Sequence, residues 1–300
     1  MQLDQYVYTF GQYLRQRFNE KVHKLSIHAG FTCPNRDGTL GIGGCTFCNN
    51  ASFNSEVKTN KNISEQLSSA KENVRAKKYL AYFQAYTNTY AEVSALRQMY
   101  EEALRSNNIV GLCVGTRPDC LPESVLSLLS SYQQQGYEVW LELGLQTAND
   151  VTLQRINRGH NFAAYVDAVK RIQQYKLNIC THLIVGLPGE TAQESFDTLA
   201  KVIDLGCEGL KLHPLMIVKG SQMAKQWKNG LLSILTADEY AEIAAEMIRH
   251  TPKEIVFHRV SATAKWPTLL APEWCNNRWP VINQIVKHLN EKGGQGSGLT

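Results

Sequence analysis

No run of about 18 apolar residues occurs in the 300-residue sequence, so a conventional membrane-spanning helix is not expected. The opening stretch, MQLDQYVYTFGQYLRQRFNEKVHK, lacks the apolar core of a secretory signal. Charge of one sign is equally scarce. With 31 Lys and Arg against 27 Asp and Glu, the formal balance is +4, far from the concentrated basic footprint of a dedicated nucleic-acid binder. Internal repeats and low-complexity tracts are missing too, apart from a flexible-looking GGQGSGLT tail. What is present, 43% hydrophobic and 19% charged residues, is the composition of a folded chain. These features lead us to expect a cytoplasmic protein with one barrel-sized domain and an appendage.

In a reducing compartment eight cysteines are not expected to pair as disulfides. Five are scattered, and Cys113 and Cys180 fall inside apolar runs where a thiol packs as a small hydrophobe. The other three, Cys33, Cys45 and Cys48, crowd into CPNRDGTLGIGGCTFC. Structural zinc wants four ligands, usually as two close pairs; here there is a single CxxC pair, and His28 could complete a Cys3His set. A thioredoxin-like CxxC pair would leave Cys33 without a role. Three thiolates without a fourth can instead hold three irons of a [4Fe–4S] cube and leave one iron open. Spacing alone leaves the three readings open.

Downstream, strand-like runs alternate with amphipathic stretches, the signature of a parallel sheet. Strands are predicted at 25–30, 79–88, 109–117, 137–147, 178–188 and 209–215. Helices are predicted at 64–78, 92–106, 123–135, 161–175 and 191–206. Thr191 and Glu194 spell a capping box, Pro122 opens one helix, and Gly136 and Gly206 close two others. Beyond residue 220 come a helix at 237–250, a strand-like 254–261, a Pro/Trp-rich stretch and a helix at 280–292. The expected fold is α/β, a partial (β/α)6 TIM-type barrel with an N-terminal helix over residues 1–220. A C-terminal α/β extension over 221–300 would cap it. Sites in such folds gather at the C-terminal ends of the strands, and the cysteine trio follows the first strand.

The motifs, taken in order, resemble the radical S-adenosylmethionine (SAM) superfamily, and within it the YhcC/YtqA-type group with its elongator-like barrel. The resemblance rests on CPNRDGTLGIGGCTFC (33–48), AYFQAYTNTY (81–90), GTRPDCLP (115–122), ELGLQTANDVTLQRINRGH (142–160), THLIVGLPGE (181–190), LKLHPLMIVKGS (210–221) and HRVSATAKWPTLLAPEWCNNRW (258–279). It runs from about residue 5 to the end. The superfamily's usual spacing is CxxxCxxC, whereas this chain has C-x11-C-x2-C, a departure that matches the elongator-like branch.

The resemblance implies one [4Fe–4S] cluster on Cys33, Cys45 and Cys48, with SAM on the open iron and reductive cleavage to methionine and a 5'-deoxyadenosyl radical. Phe47 would pack near adenine and cluster. Gln84 and Thr87 stand where many relatives carry Gly-Gly-Glu for the SAM amino group. Gln146 would face the ribose, Arg158 would pair with the SAM carboxylate, and Ile184 and Gly186 would contact or approach adenine. His28 would neighbour the cluster. His182 would face the ribose or be satisfied within the barrel, and His213 would face the substrate. Glu142 and Arg117 could form a buried ion pair.

The implied activity is hydrogen abstraction from a substrate that the motifs do not name, with RNA or tRNA suggested by the elongator-like barrel. An acetyltransferase domain is not expected beside the barrel within these 300 residues. A reductant such as flavodoxin or ferredoxin is the expected partner. Within 258–279, Trp266, Trp274, Trp279 and neighbouring cations could stack on an anionic substrate or seal the barrel. Cys275 is a candidate radical hydrogen donor or acceptor there, or else a packing thiol. The competing expectation is a non-catalytic zinc or iron-sulfur protein, or an electron carrier, that makes no use of SAM.

Overall fold

The computed structural model describes residues 2–49 and 61–299. In chain order the elements are α1 (Phe10–Phe18), β1 (Val22–Ile27), α2 (Ile63–Glu72), β2 (Lys78–Phe83), α3 (Val93–Arg105), β3 (Ile109–Thr116), α4 (Glu123–Gln134) and β4 (Glu138–Gln146). Then follow α5 (Asp150–Arg155), α6 (Phe162–Gln174), β5 (Asn178–Val185), α7 (Ala192–Leu205), β6 (Gly209–Pro214) and the short β7 (Ile217–Val218). The C-terminal part supplies α8 (Gln222–Lys228), α9 (Ala237–Arg249), β8 (Val256–Arg259), β9 (Leu269–Ala271) and α10 (Arg278–Lys292).

The main sheet has seven strands in the order β1-β2-β3-β4-β5-β6-β8, all paired parallel. All six expected strands are there. The seventh is the strand-like run assigned to the extension, which lies beside β6 and widens the barrel.

Alternation along each strand builds two different interiors. On β2, Ala81 and Phe83 join the layer between sheet and helices, with Leu112 and Val114 of β3 and Leu141 and Leu143 of β4. The alternate residues Leu80, Cys113, Trp140 and Cys180 turn into the barrel, where they meet Phe10 and Leu14 of α1. Both faces of the sheet are therefore buried, which is why the strands read as nearly continuous apolar runs. Cys113 and Cys180 are fully buried packing thiols.

Local signals set the helix ends. Thr191 and Glu194 close the capping box of α7, Gly206 ends it at φ 85°, and Pro122 is the N-cap of α4. The two ends of the chain meet at the barrel floor. The Tyr8 amide donates to Gln295 Oε1 at 2.8 Å, the Gln295 amide donates to the Tyr6 carbonyl at 2.9 Å, and the Phe257 amide of β8 donates to the Tyr8 carbonyl at 2.8 Å. No described helix is long and apolar enough to cross a membrane.

Candidate active site

A cleft of about 970 Å³, counting its open mouth, lies over the C-terminal ends of β2 to β6 and is lined by Cys33, Cys45 and Cys48. The loop that carries these thiols is wound by its own backbone. The amides of Arg36 and Asp37 donate to the Cys33 carbonyl, those of Leu40 and Gly41 to Pro34, and that of Gly44 to Asn35. The eleven residues between the first two cysteines thus form a compact turn that returns Cys45 toward Cys33.

The loop is then pinned to the segment after β4. The Thr46 amide donates to the Ile156 carbonyl at 2.9 Å, Asn35 Nδ2 to the Asn157 carbonyl at 2.6 Å and Asn157 Nδ2 to the Gly44 carbonyl at 2.9 Å. Helix α5, which sequence reading missed because it is only six residues long, delivers that segment. Asn149 caps it by accepting from the Val151 and Thr152 amides.

Arg158 follows. Its buried guanidinium donates Nε–H to the Gly144 carbonyl at 3.1 Å and Nη1–H to Cys45 Sγ at 3.5 Å. Asn35 Nδ2 reaches the same sulfur at 3.7 Å. Two donors, one of them cationic, thus converge on one sulfur. Arg158 was expected to meet a carboxylate; part of its five-donor fork is spent inside the protein instead, and the guanidinium also lines the cleft.

Phe47 and Gln146 line the cleft and also a smaller apolar cavity that opens beside it, where Ile184 sits with Met216 and Val218. Gln84 and Thr87 line the main cleft at the end of β2. Gln146 stands at φ 82° beside a register shift in β4. Gly186 lies outside both cavities: it ends β5 at φ 86°, and a Cβ there would meet Leu235 at 2.9 Å. Cys275 is fully buried among Met216, Val218 and Leu269, away from the cleft, and burial pushes its thiol up to about 12. It is a packing thiol.

His28 does not line the cleft; its ring stacks on Tyr86 with centroids 6.2 Å apart. Among the described residues no three His, Cys, Asp or Glu side chains converge as they would on a single ion. The three thiols line one cavity, a donor set of the kind that mounts a three-cysteine cluster.

The expected Arg117–Glu142 ion pair does not form. Arg117, two residues beyond β3's pairing with Glu142, grips Asp119 with Nε at 2.9 Å and Nη2 at 2.7 Å and donates Nη1–H to the Arg158 carbonyl. This fork holds the Asp119 carboxyl below the usual range against burial, which would raise it. Glu142 points into the barrel, where Oε1 takes Lys24 and His258 and Oε2 takes Lys211 and His182.

Burial would raise the Glu142 carboxyl, but Lys211, Lys24 and the two histidine hydrogen bonds keep it well below the carboxylate range. Burial drives His182 down to about 4 and His258 to about 3. Both rings are therefore neutral at pH 7, each donating the N–H that faces the carboxylate. His182 is thus satisfied within the barrel while still lining the cleft. His213, also on the cleft, is lowered to about 3 by burial and the nearby Arg259. This buried charge network was invisible in the sequence, because nothing in a run of apolar strand residues marks which lone Lys or His shares an interior level.

A parallel partial barrel with a three-thiol loop at the C-terminal ends of its strands defines a class of cluster-bearing enzyme. The model of the Radical SAM superfamily matches residues 32–202, and that of the Radical_SAM C-terminal domain matches residues 207–291. The chain belongs to the radical SAM superfamily, whose enzymes use a [4Fe–4S] cluster and SAM.

Among similar proteins, Protein YhcC of Escherichia coli (strain K12) is 58% identical over 300 residues, covering 100% of this chain and 97% of its own. YtqA of Bacillus subtilis (strain 168) is 37% identical over 292 residues, 95% of this chain and 90% of its own. A tRNA uridine(34) acetyltransferase of Dehalococcoides mccartyi is 29% identical over 124 residues, 40% of this chain and 26% of its own. The fold matches the structure of Methanocaldococcus infernus Elp3 with a TM-score of 0.65 at 16% identity, over 90% of this chain and 63% of that one.

Proposed function

We propose that Cys33, Cys45 and Cys48 hold one [4Fe–4S] cluster and that the cleft binds SAM beside it, to abstract a hydrogen atom from a substrate at the cleft mouth. The observation that supports this most is the set of three thiols around one cavity, with Arg158 and Asn35 donating to Cys45. When bound and reduced, the cluster supplies the electron that splits SAM into methionine and a 5'-deoxyadenosyl radical. The chain's own part is to bind, orient and exclude water. Phe47 and Ile184 offer adenine apolar walls. Gln146, Gln84 and Thr87 offer polar groups to the ribose and amino group, and the unspent N–H groups of Arg158 face the SAM carboxylate. Electrons come from a reductant such as flavodoxin or ferredoxin.

The substrate on this reading is RNA, most naturally tRNA. The partial likeness to a tRNA uridine(34) acetyltransferase favours it. So does the exposed Trp279, whose ring has Arg278 5.0 Å from its centroid, together with the exposed Trp266, since aromatics and cations together stack on bases and pair with phosphates. The test is anaerobic reconstitution followed by dithionite and SAM. About four irons per chain and formation of 5'-deoxyadenosine are expected. A fully loaded sample that yields none overturns the reading. Addition of tRNA should raise the yield and leave a modified nucleoside detectable by mass spectrometry.

A further inference from the structure

The positive charge in the cleft is not matched within the protein. Glu142 is the one carboxylate among the described residues that line it, and all four of its contacts are taken. Around the same walls stand five cations. Arg117 is neutralised by Asp119. Arg158 and Arg36 lie at the thiol loop, one donating to Cys45 Sγ and the other to the Cys48 carbonyl. Lys211 shares Glu142 with Lys24. Among the described residues, the Arg259 side chain makes no hydrogen bond or ion pair.

The backbone puts these last cations side by side. In the β6–β8 pair Leu210 faces Phe257 and Lys211 faces Arg259, so the register slips by one residue at His258. Without that bulge Lys211 would face His258, and Arg259 would turn away from the cleft. His258 follows Val256 by alternation into the barrel, where it reaches Glu142, and the slip brings Arg259 into the cleft beside Lys211 as well. Like charges directly across a strand pair destabilise a sheet, and Lys211, which also donates to the Tyr82 hydroxyl at 2.8 Å, has only a shared carboxylate as counter-charge. The Lys211 ammonium shows the strain: burial, with Lys24 and Arg259 beside it, brings it down to about 8 despite Glu142.

We infer that Lys211 and Arg259 form an anion subsite for the substrate, so that the group brought to the cleft mouth carries a carboxylate or phosphate near its reacting carbon. This deepens the proposed function and rests on it, since SAM fills the thiol side of the cleft. SAM has its own carboxylate, and the experiment separates the two sources.

The full-length, reconstituted enzyme with SAM bound is heated in increasing inorganic phosphate or acetate, with chloride replaced so that ionic strength is constant. Binding to the folded state raises the melting midpoint. The wild-type midpoint should rise with one or both anions, the larger response identifying a phosphate ester or a carboxylate. Arg259→Gln should lose at least nine-tenths of the response while binding SAM within twofold of wild type in equilibrium dialysis. Without anion it should melt at the wild-type temperature or above, because a like-charge contact is gone. Arg259→Lys should keep at least half the response.

The subsite is overturned if wild type shows no anion response, or if Arg259→Gln responds like wild type. A tenfold loss of SAM affinity in Arg259→Gln assigns the pair to the SAM carboxylate and overturns it too. So does a fall in melting point of both variants without anion, which marks a folding role. Failure of the loaded wild type to make 5'-deoxyadenosine is a separate reading, and it sinks the proposed function while leaving the anion response measurable.

Discussion

Glycine 144 shows how much of the cleft depends on single atoms. A Cβ at this strand position would sit 2.9 Å from Arg158 Nη2 and 2.9 Å from Gln146 Nε2. Gly144→Ala should therefore leave the fold intact, because only the far ends of two side chains must move, yet weaken SAM binding by about tenfold, the scale of one hydrogen bond to a charged group. Equilibrium dialysis of the reconstituted variant checks this; unchanged affinity would remove Arg158 and Gln146 from the SAM site. Glu142 is the opposite case, important to folding before function. Glu142→Gln leaves Lys24 and Lys211 without a counter-charge in the barrel and should lower the unfolding free energy by about 3 kcal/mol or more, read as a reduced urea midpoint at unchanged slope.

At the level of elements, the sequence was most legible where a local rule decides the outcome. The Thr191 box holds α7, with the Glu194 amide donating to Thr191 Oγ1 and the Thr191 amide to Glu194 Oε2. Thr191→Ala should cost about 1 kcal/mol in chemical denaturation, and Thr191→Ser almost nothing. The strands were legible because both faces are buried, and the cysteine loop because its spacing is rare. Three things were not. Helix α5 is too short to show a period. β8 was visible as a strand but not as a neighbour of β6, since pairing between residues 47 or 48 apart leaves no local mark. Alternation left open which layer Arg117 and Glu142 enter and so whether they could pair, whereas Arg117 had a partner two residues away in Asp119. Side chains that meet only in the closed barrel are written in register, not in sequence neighbourhood.

For the whole molecule, the buried histidines set the acid limit. His182, His213 and His258 are held neutral, at about 4, 3 and 3, chiefly by burial. In the unfolded chain each takes a proton near pH 6.5. Below that value unfolding takes up protons, so stability falls as pH drops. Glu142, with its carboxyl depressed in the folded state, gives stability that is present above pH 4.5 and lost as acid overtakes it. The urea midpoint should decline from pH 6.5 and steepen below 4.5; a flat profile from pH 7 to 5 would show these rings to take up protons in the native protein as they do in the unfolded chain.

The joined chain ends give the barrel a further property. The segment around Tyr6 and Tyr8 is held by Gln295 and in turn holds β8, while α1 just after it plugs the interior with Phe10, whose ring lies 3.8 Å from that of His258. The molecule is fastened like a belt with its buckle under the active site. A cut in the middle leaves the strap closed, whereas trimming either end by a dozen residues frees the plug, and the disturbance reaches the substrate side through His258 and the Glu142 network.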